Sequence, residues 1–310
     1  MKSRKYQVAV ILVNYNSSQY TIDCVRSIRA QTKTVRYQII VVDNDSRPDE
    51  KLALRELQGL SDVQMIFSPD NSGFSGANMI GVNAADAEFY YFLNNDTVLL
   101  NDCIGILYDF MSGHPEAANA SGEMFIADGS YEYNFRYFPS IALKLLGSGI
   151  LRLFQPTSFP SRHIRFQQPT AVDLVNGSSM FIRAVPFEKI NGFDTRYFLY
   201  CEEEDIALRL RREGFKTYLV PAAQYQHFVS RSTRQDGSIN LPFLKEFYIS
   251  FLYYFGKNYN RAYRLIIQVF YVIKIGRKVF RNRDYGRLAW FILRGAPEKE
   301  SLRYRSANKA

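Results

Sequence analysis

Cysteine is scarce in this chain of 310 residues. The three present, Cys24, Cys103 and Cys201, lie too far apart to make a metal-ligand spacing. So few dispersed thiols exclude a disulfide-stapled scaffold and fit a reducing compartment. Histidine is equally rare at three. No apolar run is long enough to cross a bilayer. The greasiest window, residues 265–276, is about half the roughly 20 residues a span needs, and Gln268 and Lys274 interrupt it. The dinucleotide fingerprint G-x-G-x-x-G is missing where it would be useful: Asn14-Tyr15-Asn16-Ser17-Ser18 follows the first apolar segment instead. No internal repeat is found. Met1 to Gln7 runs directly into a strand-like segment with no leader pattern, so a cytoplasmic location is expected.

What is present is a globular composition, 47% hydrophobic and 22% charged, which excludes wholesale disorder. The net charge of +9 is uneven. Residues 241–310 hold 15 Lys and Arg against 4 Asp and Glu, whereas residues 1–240 hold 24 against 26. The basic excess therefore belongs to the tail, where aromatics at helical spacing alternate with Lys and Arg. Two readings of that tail stay open: a solvated basic face on a packed helical hairpin, or a peripheral contact with anionic lipid or the phosphates of a lipid-linked acceptor.

The first hundred residues alternate strand and helix signals. Apolar runs at 8–13, 38–42, 63–67 and 88–93 read as buried strands, with helical spacing between them. This order predicts an α/β fold with a mostly parallel sheet flanked by helices. Polar residues follow three of the strands: Asn14-Tyr15-Asn16, Asp43-Asn44-Asp45 and Asn94-Asn95-Asp96. Ligands of such sheets bind beyond those strand ends. Residues 127–170 show no clear period and are expected to form a lid or binding loop. A helix is expected from about 203 to 213, a strand at 217–220, and amphipathic helices after 241. The expected division is a catalytic part, 1–240, and a basic helical region, 241–310.

Several residues could carry chemistry. Asp43 ends a strand, where a carboxylate can accept from a pyrimidine base or simply cap a turn. The loop containing Asn71, Gly73 and Asn78 opens a helix, as a sugar or phosphate site or as a tight turn. Asp96, with Asn94 and Asn95, suits Mg²⁺ or Mn²⁺, which are often held by one or two carboxylates plus substrate phosphates. His227 is a candidate partner for it, while His114 and His163 have no partner motif. Four acids in a row, Glu202, Glu203, Glu204 and Asp205, open the helix after 201. Two would satisfy a helix N-terminus; four add mutual repulsion and raise one another's pKa, which makes a better base toward a hydroxyl. Glu202 and Asp205 share a face, leaving Glu203 to reach elsewhere.

Together these pieces resemble a family 2 glycosyltransferase of the GT-A fold, and most closely its bacterial rhamnosyltransferase branch. The resemblance spans roughly residues 6–235. It rests on Val13 to Asn16, Val41 to Asn44, Asn71 to Phe74 with Asn78, Leu93 to Thr97, Asn176 to Phe181, Gly192-Phe193-Asp194, Tyr200 to Asp205, His227 and Ser232. It implies that Asp43 reads the pyrimidine, and that Asn14, Asn16, Asn71, Gly73, Asn78 and Asn95 surround the donor nucleotide. It implies a Mg²⁺ or Mn²⁺ ion on Asp96 and His227, with Asn94 replacing the usual first acid of the metal motif. Glu203 stands at the position of the general base, with Glu202 as the alternative. The implied reaction is inverting transfer of L-rhamnose from dTDP-rhamnose, or of another sugar from a dTDP or UDP donor. The implied acceptor is a glycan or lipid-linked hydroxyl in bacterial surface polysaccharide synthesis, and nucleic acid is not an expected partner. Two competing readings are a sugar nucleotidyltransferase and a non-catalytic module that binds acidic polymer or membrane. The glycosyltransferase reading also expects that removing residues 241–310 mainly weakens membrane association, with donor binding surviving if the fold does.

Overall fold

The computed structural model describes residues 4–156, 158–161, 164–228 and 239–306. His163 and Ser232 lie outside the described residues. The chain opens with β1 (Tyr6–Asn14), α1 (Ser18–Gln31), β2 (Tyr37–Asp43), α2 (Pro48–Ala53), β3 (Val63–Phe67), α3 (Gly73–Ala84) and β4 (Ala87–Leu93). β1 pairs in parallel with both β2 and β4, and β2 in parallel with β3, as the alternation predicts. β1 is apolar throughout because both of its faces are covered. Val8, Val10 and Leu12 pack toward α1, while Ala9 and Ile11 pack toward α3. Each large aliphatic side chain buried this way contributes about 1.5–3 kcal/mol.

The second half is β5 (Thr97–Leu99), α4 (Cys103–Gly113), β6 (Ala117–Ile126), β7 (Tyr131–Glu132), β8 (Phe135–Arg136), α5 (Ile141–Phe154), β9 (Thr170–Val172), β10 (Leu174–Val175), β11 (Ser179–Arg183), α6 (Ala184–Lys189), α7 (Glu202–Arg212) and β12 (Lys216–His227). The main sheet runs β3-β2-β1-β4-β11-β6-β12-β5, with β11 antiparallel to β4 and β12 parallel to β6. β8 and β10 form a separate two-stranded ribbon.

Two expectations are corrected. Residues 127–170 are not one irregular loop, because they contain α5 and the short strands β7 and β8. Ser140 caps α5 by accepting from the Leu143 N–H at 3.1 Å, and Gly147, at φ 75°, breaks it in the middle. No residue of α5 is fully buried; Ile141 and Leu143 pack against neighbouring clusters, while Leu145, Leu146, Leu153 and Phe154 are exposed. The strand expected at 217–220 runs on to His227. Pro221 interrupts its pattern, and the register shifts between Val220 and Gln224, as a bulge around a proline allows.

The tail forms α8 (Leu241–Asn258), α9 (Arg261–Gly276), α10 (Arg283–Leu293) and α11 (Arg303–Ser306). Asn240, Asn260 and Asn282 each stand at an N-cap and accept a backbone N–H. α8, α9 and α10 share a core with Tyr197 and Cys201, the residues that lead into α7. Among the described residues no helix is long and apolar enough to cross a membrane.

Candidate active site

The ends of β1, β2 and β4 open on a cavity of about 810 Å³. Of the residues expected around a nucleotide, Asn16, Asn71, Gly73 and Asn95 line it, beside Asn94 and Asp96. Asn14, Asp43 and Asn78 do not line it, a correction with a clear physical cause. Asn14 Nδ2 donates to Asp43 Oδ1 at 2.9 Å and to Ser46 Oγ at 3.0 Å, and Asp43 Oδ2 accepts from the Ser46 N–H at 3.2 Å. Both residues are fully buried, and their polar atoms are spent on fixing the loops. Asn78 donates back to the Phe74 carbonyl inside α3 at 2.9 Å. Asn44, one residue past Asp43, reaches the wall instead and accepts from the Ser72 N–H at 2.9 Å.

Gly73 is required where it stands. Its φ is 75°, and a Cβ there would overlap the Phe198 carbonyl and come within 2.6 Å of the Phe198 ring. The Phe74 N–H donates to that same carbonyl at 2.7 Å. The loop before α3 is thereby clamped to the segment before α7. Tyr15, named at the end of the first strand, also lines the cavity, as do Tyr20, Phe198, Phe243 and Leu302, which were not singled out for the site in the sequence. Phe243 and Leu302 come from the tail, so removing 241–310 would strip part of the wall.

The pairing of β5 with β12 sets His227 opposite Thr97. This register brings His227 Nε2 to 3.1 Å from Asp96 Oδ1 across 131 positions of sequence. Both side chains are largely enclosed, and His227 Nδ1 is buried without a partner among the described residues. A divalent ion fits this pair of oxygen and nitrogen ligands. Among the described residues no group of three or more His, Cys, Asp and Glu could hold one, so substrate phosphates and water would have to complete its shell. His114 serves structure instead: its Nδ1 meets the Phe110 carbonyl at 2.7 Å and its ring stacks on Phe110.

The acids lie behind the turn at 176–178. The Asn94 N–H donates to the Ser178 carbonyl at 2.9 Å, and Glu203 Oε1 lies 3.4 Å from where a Cβ on Gly177 would stand. One short turn therefore separates the asparagine-aspartate rim from the acid cluster. α7 is entered through two successive residues with positive φ, Tyr200 at 74° and Cys201 at 65°. Left-handed backbone at two side-chain-bearing residues is costly and is often found at functional sites. Arg136, at the end of β8, binds Glu203 Oε1 and approaches Glu204 Oε1 at 3.1 Å. The Oε2 atoms of Glu202, Glu203 and Glu204 are buried without partners among the described residues. Burial, and then the charge of Glu203, raises Glu202 well above the usual carboxylate range. Burial also pushes Glu204 up to about 7, with Arg136 opposing and Glu203 adding to the rise. Asp205, expected on the face shared with Glu202, is an anchor. It accepts from Arg209 at 2.7 Å, Lys257 at 2.9 Å, Asn258 at 3.0 Å and the Tyr197 hydroxyl at 3.3 Å.

The raised Glu204 makes stability depend on pH. Its ordinary value is 4.5, so between 4.5 and about 7 the folded chain holds a proton that the unfolded chain has lost. Its contribution is complete below the lower value and disappears as pH rises through the upper one. Urea unfolding should therefore show wild type losing stability relative to Glu204→Gln between about pH 5 and pH 7.5. A difference between the two that stays flat with pH would refute the assignment.

A parallel-sheet α/β fold with a polar cavity at the strand ends, an acid–histidine pair on the rim and buried acids behind it defines a sugar-nucleotide enzyme class. The profile of "Glycosyl transferase family 2" matches residues 9–186. The chain belongs to that family and is a glycosyltransferase. It is similar to the rhamnosyltransferase WbbL of Escherichia coli (strain K12), 28% identical over 236 residues that cover 73% of this chain and 85% of that one. It is also similar to the N-acetylglucosaminyl-diphospho-decaprenol L-rhamnosyltransferase of Mycobacterium tuberculosis (strain ATCC 25618 / H37Rv), at 25% identity over 75% of this chain and 79% of the other. Among solved structures, GalNAc-T7 with UDP, GalNAc and Mn²⁺ superposes with a TM-score of 0.63 at 12% identity; it covers this whole chain, which spans only 58% of that one. The mannosyltransferase PcManGT of Pyrobaculum calidifontis, in complex with GDP-Man and Mn²⁺, gives 0.56 at 14% identity over 95% of this chain and 76% of its own. These likenesses show the GT-A fold. The nucleotidyltransferase and non-catalytic readings fall away with the family assignment.

Proposed function

We propose that this glycosyltransferase is inverting and dependent on Mg²⁺ or Mn²⁺. In this reading it moves L-rhamnose from dTDP-rhamnose to a hydroxyl of a glycan or lipid-linked acceptor during surface polysaccharide synthesis. The observation that carries the reading is the meeting of Asp96 and His227 on the cavity rim, one turn away from Glu203. The rhamnosyltransferase relatives support rhamnose, and the mycobacterial name supports a diphosphate-lipid acceptor.

The bound ion would neutralise charge on the departing diphosphate. The protein's own part is positional and basic. Asn16, Asn44, Asn71 and Asn95 offer hydrogen-bonding groups to the nucleotide along the cavity wall. Arg136 holds one oxygen of Glu203 and leaves Oε2 unpaired to accept the acceptor's proton. The freed oxygen attacks the anomeric carbon from the side opposite the diphosphate. The new C–O bond forms as the anomeric C–O bond breaks, and the electron pair leaves with dTDP.

Residues 1–240 carry the chemistry in this reading, while 241–310 close the cavity and face the inner leaflet of the cytoplasmic membrane. Exposed Leu153, Phe154, Ile273, Phe280 and Trp290 beside many Lys and Arg support that orientation. Co-sedimentation with phosphatidylglycerol vesicles should be strong at low salt and weaker at high salt; equal recovery with neutral vesicles would argue against it. Mn²⁺ together with dTDP should raise the melting temperature, more than GDP does. Asp96→Asn should abolish the Mn²⁺-dependent part of the rise and weaken nucleotide binding about tenfold or more. An unchanged Mn²⁺ effect in that variant would place the ion elsewhere.

A further inference from the structure

A second cavity, of about 500 Å³, lies between α8, α9 and α10. Its wall is aromatic and aliphatic, with Tyr200, Phe243, Phe247, Tyr248, Tyr271 and Leu288 among its residues. Phe243 belongs to both cavities, so this one adjoins the candidate donor cleft. Tyr200 places it three residues from Glu203.

Cations gather at this cavity, and no Asp or Glu is among the residues that line it. Lys274 and Lys278 line it. Lys144 of α5 stands over the Phe251 ring at 5.7 Å, and Lys274 stands over the Tyr271 ring at 5.8 Å. The Phe251 and Tyr271 rings are themselves 5.2 Å apart, so two ammonium groups share one aromatic patch. Lys278 lies over Tyr285 at 5.4 Å. None of the three lysines pairs with a carboxylate among the described residues, although most other buried or half-buried cations here do, as Arg136, Arg209, Lys245 and Lys257 show. Burial and the repulsion of Lys274 lower the pKa of Lys144, and the nearby Glu204 carboxylate only partly opposes them. Beyond the lysines the surface turns apolar. Leu145, Leu153 and Phe154 of α5, Ile266 and Ile273 of α9, and fully exposed Phe280 face solvent.

We propose that this cavity, with its own Lys274 and Lys278 and the neighbouring Lys144 of α5, forms the binding site for a lipid diphosphate, the carrier end of the acceptor. The diphosphate sits on Lys144, Lys274 and Lys278, the first part of the hydrocarbon chain lies against the aromatic wall, and the remainder leaves along the apolar faces of α5 and α9. The proposal rests on the reading of the protein as a transferase acting on a lipid-linked acceptor. A nucleotide diphosphate would satisfy the lysines but not the apolar exit. Lysine serves phosphate well as a point charge, and aromatic walls suit an unsaturated hydrocarbon chain.

The test uses the full chain and calorimetric titration with farnesyl diphosphate, farnesol, inorganic diphosphate and dTDP–Mn²⁺. Farnesyl diphosphate should bind at least about tenfold more tightly than inorganic diphosphate, and dTDP–Mn²⁺ should not displace it. The double variant Lys144→Gln/Lys274→Gln should weaken farnesyl diphosphate by about tenfold or more while leaving dTDP–Mn²⁺ binding and melting temperature unchanged. Equal affinity in variant and wild type would overturn the proposal, as would competition between farnesyl diphosphate and dTDP–Mn²⁺. Wild type that binds dTDP–Mn²⁺ but shows no preference for the farnesyl compound overturns this site alone. Lysine-dependent farnesyl diphosphate binding without any dTDP binding supports this site and overturns the donor reading.

Discussion

Glu203→Gln is expected to reduce kcat for sugar transfer by about 10²–10⁴-fold, the range that a positioned base supplies, with dTDP–Mn²⁺ binding near that of wild type. Glutamine keeps the shape of the side chain and an oxygen for Arg136, so the loss isolates basicity from architecture. The cavity wall does not include Glu203, which is why nucleotide affinity should survive. Glu202→Gln is the control. Glu202 is the more deeply buried of the two and is raised by burial, so as the base it would also need access that the structure gives more readily to its neighbour. Parallel single-turnover assays on both variants decide the assignment. Full transfer by Glu203→Gln with loss in Glu202→Gln would move the base by one residue. Full transfer in both would remove the base from this helix.

Asp205→Ala should destabilise the folded chain by about 3–5 kcal/mol, the cost of breaking a buried charge network from one side. The Asp205 carboxylate is almost completely enclosed and receives donors from α7, α8 and the segment before α7. Without it, Lys257 keeps Asp194 at 2.8 Å, whereas Arg209 is left with only the carbonyls of Ile190 and Gly192. The effect should appear as a lower urea midpoint with an unchanged slope. A loss below about 1 kcal/mol would mean that water replaces the carboxylate and that the network is peripheral. A chain ending at residue 240 should fare worse still. It would lose Lys257 and Asn258 from this network, the helices that cover Tyr197 and Cys201, and two side chains of the nucleotide wall.

The centre of the parallel half was legible because β1, β2 and β4 are buried on both faces and read as largely apolar runs, while β3 is a half-exposed edge strand. The acid–histidine pair was legible as a pair only through the family resemblance; the β5–β12 register that joins the two is a long-range fact that no local pattern carries. Asn14, Asp43 and Asn78 were correctly seen as special, yet their polar atoms turn inward, and sequence cannot distinguish a side chain that touches a ligand from one that holds the loop doing so. Arg136 went unnoticed because it lies in a stretch with no period, although four successive carboxylates should have prompted a search for their cation. α5 was missed for the opposite reason to β1: it is covered only in part, through residues such as Ile141 and Leu143, while Leu145, Leu146, Leu153 and Phe154 stay exposed and blur the pattern. Phe243 and Leu302 read as ordinary tail hydrophobics, and only the packing of α8 against the entry to α7 brings them to the cavity.

That packing has a consequence for biosynthesis. The nucleotide wall joins Asn16 to Leu302, which is made much later in translation. During translation the parallel sheet can assemble early from its own neighbouring strands, yet its pocket stays unsealed until the ribosome has delivered α8 and the segment around Leu302. A nascent chain is therefore expected to fold in part before its nucleotide pocket is complete.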